Sequence, residues 1–306
     1  MRPDVWVPEA IPAAERARLE QVASVHAFAP AGPMPDSRAP ADLLVAAYDT
    51  GRALQVASRF GRLGAIQAFS AGVDSVLDQV PAGVTLCDAA GVHDVPVAEW
   101  VVMTILASCR RLPEHLASQR AGVWRTEAIA GRDLVDATVV LLGVGAIGRA
   151  VEERLTGFGP RIIRVARRAR EGVHPLAGLR AILPGADVVV IMLPLTPETR
   201  GLVDAAFLAA MPAGALLVNA SRGAIVDTTA LTQAVLAGRI RVALDVTDPE
   251  PLPEGHPLWS ATGAIVTPHV ASDVAREDER GWQLVFDQVT RLSRGEPLAN
   301  VVIDGY

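Results

Sequence analysis

Two short runs in this chain, DVVVIML at 187–193 and ALLVN at 215–219, are apolar at almost every position. A strand with one wet face alternates apolar and polar residues. A continuous apolar run suits a strand buried on both faces, which happens where helices cover a parallel sheet. Related β-branched runs recur along the chain. We expect strands at Asp4–Val7, Leu43–Ala47, Ile66–Phe69 and Val84–Cys87 in a first half. A second half offers Thr138–Leu142, Arg161–Val165, Asp187–Leu193, Ala215–Asn219, Arg241–Leu244 and Ala264–Thr267. Helical patterns such as Ala146–Thr156 and Thr228–Ala237 separate them. Strand–helix–strand repetition of this kind predicts an α/β fold with doubly wound parallel sheets. At 306 residues, half of them hydrophobic, the chain has material for two such domains and a large core.

The domain order follows from two long helical stretches. Asp94 to Arg111 opens on an aspartate N-cap candidate and closes on two arginines, and Asp273 to Arg294 ends before Gly295. If both cross between domains, the first domain contains both termini and the second is inserted, at about residues 97–275. The competing arrangement is two consecutive domains split near residue 125. A Pro/Gly-rich loop is expected at Pro30–Pro40.

The strongest single motif is TVVLLGVGAIGRAVEERLTGFG, Thr138 to Gly159. A buried strand runs into Gly143-Val144-Gly145-Ala146-Ile147-Gly148, and a helix follows. Gly143 permits a tight turn, Gly145 lets backbone approach a pyrophosphate, and Gly148 allows close helix–strand packing. The helix amino terminus adds free N–H groups and partial positive charge for phosphates. This is the pattern of a dinucleotide site. In NAD-selective sites a carboxylate at the end of the next strand accepts the ribose hydroxyls. Here Ala166 stands at that place, followed by Arg167, Arg168 and Arg170. Guanidinium groups grip a 2′-phosphate that a carboxylate would repel, so NADP is expected in preference to NAD.

Composition removes other chemistry. All 28 basic residues are arginine, which excludes a Schiff-base lysine, pyridoxal phosphate attachment and a P-loop lysine. The net charge of −6 argues against nucleic-acid or anionic-membrane partners. Cys87 and Cys109 cannot build a disulfide framework or a cysteine zinc site, and no other metal constellation is visible. A long stretch without a formal charge, Ala205 to Ser221, is broken by Pro212, Gly214 and Asn219, so no membrane span is expected. Asp4 and Glu9 interrupt any apolar leader, which predicts a cytoplasmic protein.

Three segments after the glycine motif resemble the D-isomer-specific 2-hydroxyacid dehydrogenases. They are VNASRGAIVD (Val218–Asp227), ALDVTDPEPLPEGHPLW (Ala243–Trp259) and IVTPHVAS (Ile265–Ser272). The upstream SAGVD (Ser70–Asp74) and VAEW (Val97–Trp100) and the terminal GEPLANVV fit the same family in order. Within it the glyoxylate/hydroxypyruvate reductases look most similar, because of the arginines after Ala166 and the CRRLPE segment.

The resemblance implies a Rossmann cofactor domain (97–275) inserted into a flavodoxin-like substrate domain (1–96 and 276–306). It implies Arg222 as the residue that grips the 2-oxo acid and polarises its ketone, which a planar fork can do. His269 corresponds to the general acid/base, and Glu250 to the carboxylate that orients the imidazole and favours its charged form. Asp245 matches a position near the nicotinamide, and the backbone N–H groups of Ala71, Gly72 and Val73 match the loop that receives the substrate carboxylate. His93 is a further candidate for contact with substrate, and Trp124, Trp259 and Trp282 are candidates to shape the pocket. The family is usually dimeric through the helix at 94–111. Phosphite oxidation is disfavoured because SAGVD has no lysine, and formate oxidation because Glu250 replaces a glutamine.

The expectation is therefore an NADPH-preferring reductase of glyoxylate, hydroxypyruvate or a similar small 2-oxo acid. Two alternatives stand beside it: a reductase of bulky aromatic 2-oxo acids, and a dinucleotide-sensing binding protein resembling the corepressors built on the same fold.

Overall fold

The computed structural model describes residues 2–29, 36, 38–47, 50–124 and 130–303. The chain divides into two compact units, residues 1–93 with 274–306, and residues 94–273. Most of the loop expected at Pro30–Pro40, residues 30–35 and 37, lies outside the described residues.

In the first unit β1 (Asp4–Pro8), β2 (Ser24–Phe28), β3 (Ala41–Ala46), β4 (Leu63–Ala68) and β5 (Thr85–Cys87) form a parallel sheet in the order β2-β1-β3-β4-β5. That is the flavodoxin-like order. Helices α1 (Ala13–Leu19) and α2 (Thr50–Ala57) belong to this unit. The inner strands carry the apolar residues; Leu43, Leu44, Val45 and Ala46 of β3 are all buried.

The second unit opens with α3 (Asp94–Cys109) and α4 (Leu112–Arg120). Its sheet strands begin with β6 (Thr138–Leu142), then α5 (Ala146–Thr156), β7 (Arg161–Ala166), β8 (Val173–Pro175), α6 (Leu179–Ile182) and β9 (Val188–Ile191). There follow α7 (Ala205–Ala210), β10 (Leu216–Asn219), α8 (Thr228–Leu236), β11 (Arg241–Leu244) and β12 (Ala264–Val266). The order is β12-β11-β10-β9-β6-β7-β8, all parallel, with the direction of growth reversing between β6 and β9. This is the Rossmann arrangement with one further strand, and its switch point is where dinucleotides bind in such sheets. Every residue of β9 and β10 is buried, with one apolar cluster on each face of the sheet. α5 buries Gly148, Val151 and Leu155, spaced by three and four residues along one helix face.

In the first unit α9 (Glu277–Arg294) closes the chain. It buries Gly281, Trp282, Val285, Gln288 and Val289 and ends at Gly295, whose left-handed φ of 68° suits a helix cap.

Several boundaries differ from the sequence expectation. The first long helix stops at Cys109, not Arg111, because Pro113 has no N–H for the Cys109 carbonyl and its ring would crowd it. That carbonyl accepts the Arg132 N–H instead, at 3.0 Å, and Arg111 takes a left-handed φ of 57° before α4. The last helix starts at Glu277, not Asp273. The Asp273 N–H is held in a turn by Val270 O, and the helix begins only where Glu277, Asp278 and Glu279 fill its first turn. β2 and β8 were not expected; both lie at sheet edges. Among the described residues no helix is long and apolar enough to cross a membrane.

Candidate active site

Because every strand of the second sheet points the same way, the loops after its strands emerge along one edge. In sheet order that edge carries His269 after β12, Asp245 and Glu250 after β11, and Arg222 after β10. Beyond the switch point come the glycine loop after β6 and Arg167 and Arg168 after β7. The sheet order thus sets the acid–base candidates on one side of the switch point and the nucleotide candidates on the other.

The three glycines have distinct reasons. Gly143 takes φ 103° and donates its N–H to Val165 O at 2.8 Å, and a Cβ there would lie 2.3 Å from Met192 O. Gly148 packs on the first glycine itself, since its Cβ would lie 2.2 Å from Gly143 O. Gly145 is different. A Cβ there would meet no atom within 4 Å, so the mouth of the loop is open in front of the helix that Gly145 caps. Val144 is buried beneath, while Ala146 and Ile147 form the first helical turn. The N–H groups of such a turn have no partners inside the helix, so the residues present fit a dinucleotide pyrophosphate.

Ala166 ends β7, and Arg167, Arg168 and Arg170 follow it, all exposed. Arg170 and Val173 exchange both backbone hydrogen bonds across a tight turn with Gly172 at φ 67°. The Glu198 carboxyl, beyond β9, is held below its ordinary value mainly by the Thr196 hydroxyl, then by its own backbone N–H and the charge of Arg167. No spacing along the chain points to this carboxylate near the basic turn, because it lies on a different loop.

Arg222 follows β10 and begins a short 3₁₀ turn; its Nη1 donates to Ser221 O at 2.8 Å. Asn219 fixes the turn by donating to Arg222 O at 3.0 Å and accepting from the Ser221 N–H and hydroxyl. Gly223 is required because a Cβ would lie 1.9 Å from Thr247 O, so this turn is pressed onto the chain leaving β11.

His269 and Glu250 meet directly: His269 Nδ1 is 2.5 Å from Glu250 Oε1, with both side chains about half exposed. The carboxylate fixes the proton on Nδ1 and leaves Nε2 as the working nitrogen. The His269 backbone sits at φ 57°, a strained conformation for a residue with a Cβ. Its cause is Asp245. Only 3% exposed, Asp245 accepts from the Thr267 hydroxyl and the Val270 N–H on Oδ1, and from the Ala271 N–H on Oδ2. The resemblance implied a place near the nicotinamide for this residue; both of its oxygens are engaged by the histidine turn.

In the first unit, Ala71, Gly72 and Val73 follow β4. The Gly72 N–H reaches Ser70 Oγ at 3.2 Å, and Ser70 Oγ donates to Gly72 O at 2.8 Å. Val73 is buried. His93 turns both ring nitrogens inward, to Phe69 O and Glu277. Of the tryptophans, Trp282 is buried edge-on against Phe69 at 5.1 Å, Trp259 donates to Pro253 O, and Trp124 is 91% exposed. Among the described residues no group of three or more metal-binding side chains occurs.

Residues 102–271 match the family model described as D-isomer specific 2-hydroxyacid dehydrogenase, NAD binding domain. The chain is 33% identical over 275 residues to D-3-phosphoglycerate dehydrogenase of Mycobacterium leprae, covering 87% of this chain and 52% of that protein. It therefore spans about half the length of the phosphoglycerate dehydrogenases it matches. It is 33% identical over 248 residues to human glyoxylate reductase/hydroxypyruvate reductase, covering 77% of this chain and 76% of that one. Among solved structures it is similar to the NADPH-dependent glyoxylate/hydroxypyruvate reductase of Sinorhizobium meliloti in complex with NADP and sulfate. The TM-score is 0.83 at 28% identity, over 99% of this chain and 98% of that one.

Proposed function

The chain belongs to the D-isomer-specific 2-hydroxyacid dehydrogenase family, and from that membership we propose that it reduces small 2-oxo acids to D-2-hydroxy acids with NADPH. Glyoxylate and hydroxypyruvate are the first candidates. The observation that carries this reading is the His269–Glu250 pair on the edge of the dinucleotide sheet, 2.5 Å apart.

In this reading residues 97–275 hold the dinucleotide and residues 1–96 with 276–306 the substrate-binding part. The bound nicotinamide supplies a hydride. Val144, Gly145, Ala146 and Ile147 bind the pyrophosphate through their backbone, and Gly143 and Gly148 let the loop close tightly enough to do so. Arg167 and Arg168 take the 2′-phosphate, for which the absence of a carboxylate at Ala166 leaves room. The reductase of similar fold, described as NADPH-dependent, supports this preference over NAD. Asp245 holds the histidine turn beside the nicotinamide position. Arg222 grips the 2-oxo acid and polarises its ketone oxygen, while the N–H groups of Ala71, Gly72 and Val73 receive the carboxylate. His269 gives the ketone oxygen its proton from Nε2, and Glu250 stabilises the imidazolium that does so.

A homodimer goes with this reading. α3 turns most of its apolar residues into the core, whereas Met103, Leu112, Leu116, Val123 and Trp124 leave an exposed apolar surface on α3, α4 and the segment after it. Sedimentation of the purified chain tests that point.

The experiment that tests the function is a panel of 2-oxo acids assayed with NADPH and NADH side by side. Glyoxylate and hydroxypyruvate are expected to lead with NADPH. Faster turnover of phenylpyruvate would favour a bulky-substrate reductase. The relatives named D-3-phosphoglycerate dehydrogenase put phosphohydroxypyruvate on the same panel. Tight dinucleotide binding without any turnover would favour a sensing role.

A further inference from the structure

Glu250 stands on a stretch of chain with little regular structure to hold it. Val246 and Leu252 are buried, and Asp248 to Pro251 between them are exposed. Pro249 and Pro251 have no N–H to give. Among the described residues, Thr247 to Pro251 make no hydrogen bond between backbone groups. Yet the Glu250 carboxylate comes within 2.5 Å of His269 Nδ1. Asp245 places the histidine from its own side, so the accuracy of the pair depends on what fixes the chain at Glu250.

Two threonine hydroxyls do so. Thr247 Oγ1 donates to Pro249 O at 2.9 Å, and Thr228 Oγ1 donates to Asp248 O at 2.6 Å. These are the carbonyls of the two residues that precede Glu250. The Thr247 hydroxyl closes on its own loop, whereas that of Thr228 ties the loop to another element. Thr228 is the first residue of α8, and this end of the helix is well anchored. Asp227 caps it by accepting the Ala230 N–H at 3.0 Å, and the Asp227 N–H donates to Val203 O at 3.0 Å. Ala230 and Leu231 of the first turn are buried. The same stretch of chain meets the Glu250 loop at a second point, since a Cβ at Gly223 would lie 1.9 Å from Thr247 O. The segment from Gly223 to Thr228 thus lies against Thr247 and Asp248, by packing at one end and a hydrogen bond at the other.

We propose that Thr228 is a positioning residue for the acid–base pair: by holding the Asp248 carbonyl it fixes the chain at Glu250 and keeps that carboxylate on His269 Nδ1. This rests on the reading of His269 and Glu250 as the pair that moves the proton. Thr228 then acts on the chemical step and leaves the affinities for cofactor and substrate to other residues.

The test uses the full chain and two variants. Valine has the shape of threonine without the donor, and serine keeps the donor without the methyl group. Thr228→Val should slow single-turnover oxidation of NADPH by a saturating 2-oxo acid about threefold to tenfold, the effect of one lost hydrogen bond. The Kd of NADPH and the KM of the 2-oxo acid should change little, and Thr228→Ser should restore the rate. In a Glu250→Gln background Thr228→Val should cost less than about twofold more, because its effect passes through the carboxylate. An unchanged rate in Thr228→Val, or an equal loss in both backgrounds, would overturn the proposal.

A second readout needs no turnover. In the neutral ring of His269 the carboxylate keeps the proton on Nδ1, and a loosened carboxylate lets the ring pass in part to the Nε2–H form. Nitrogen NMR shifts of the ring, recorded in alkaline solution without substrate, report that share, with the signals assigned by their loss in His269→Gln. A share of the Nε2–H form that rises in Thr228→Val and falls back in Thr228→Ser is expected. The same share in all three proteins overturns the proposal. A rise in a protein that reduces no 2-oxo acid would support the positioning role and overturn the functional reading instead.

Discussion

The backbone N–H of His269 donates to the carbonyl of Asp245 at 2.8 Å, and the carboxylate of the same aspartate binds the two N–H groups that follow the histidine. One buried residue therefore holds both sides of a turn whose centre is in a left-handed conformation. In Asp245→Asn one acceptor oxygen becomes a donor facing an N–H group. The loss should be about 1–3 kcal/mol of stability, with a fall in turnover as the imidazole loses its fixed place beside Glu250. Chemical denaturation and kcat check this. An unchanged stability with only the cofactor KM raised would show that the carboxylate serves the dinucleotide and not the turn.

His269→Gln should lower turnover by roughly 10²–10⁴ and leave dinucleotide binding little changed. On the proposed reading, reduction takes up a proton through His269 and oxidation of the 2-hydroxy acid gives one back, so reduction should slow and oxidation should gain as pH rises. Steady-state rates in both directions across pH measure this. Reduction that keeps climbing into mild alkali would remove His269 from the proton transfer.

The parts of the fold that were readable in the sequence are those buried on both sides. The strands β6 and β11 begin and end where the sequence put them, and β9 and β10 lie within their expected runs, since a fully buried strand must be apolar throughout. The edge strands β2 and β8, SVHAF and VHP, bury one face at most and look like loop. At the site, the His269–Glu250 approach followed from the motifs. The bracing role of Asp245, the strained histidine and the closeness of Glu198 to Arg167 did not. Those depend on loops from different strands meeting in space, which no spacing along the chain reveals.

Arg167→Ala should weaken NADPH far more than NADH, because only NADPH carries the 2′-phosphate that a guanidinium binds. Glu198 competes for the same cation, its own carboxyl held low in part by that charge. Glu198→Gln should therefore tighten NADPH, by a few-fold at most for so exposed a pair, and leave NADH nearly unchanged. Fluorescence titration of both cofactors with both variants decides the matter. Equal losses in Arg167→Ala would mean that this arginine does not read the phosphate.

Burial pushes the Cys87 thiol up to about 11, with the charge of Asp88 adding to the effect. The native protein should then leave Cys87 unreacted with a thiol reagent near neutral pH, while denatured chain reacts. The sign for stability follows from a folded-state value above the unfolded 9.0. The contribution is intact below 9.0 and is lost as pH rises from there to about 11. Cys87→Ala should flatten that part of the alkaline denaturation curve; a curve unchanged from the parent would show that the thiol does not carry it.

Gly145 and Gly148, three residues apart, should respond oppositely to the same added methyl group. At Gly148 the new Cβ would lie 2.2 Å from Gly143 O, a backbone atom that has no room to withdraw because Gly143 is itself pressed on Met192 O. Gly148→Ala should cost about 1–3 kcal/mol or more, as overpacking does. At Gly145 the backbone has φ −72° and a Cβ meets open space, so alanine is tolerated and the chain should be no less stable, or slightly more. The methyl group would, however, occupy the approach to the helix N–H groups where a pyrophosphate is to lie, and dinucleotide binding should weaken markedly. Thermal melts with and without NADPH separate the two effects. If Gly145→Ala keeps the full stabilisation by NADPH, the open mouth of the loop is not where the phosphates bind.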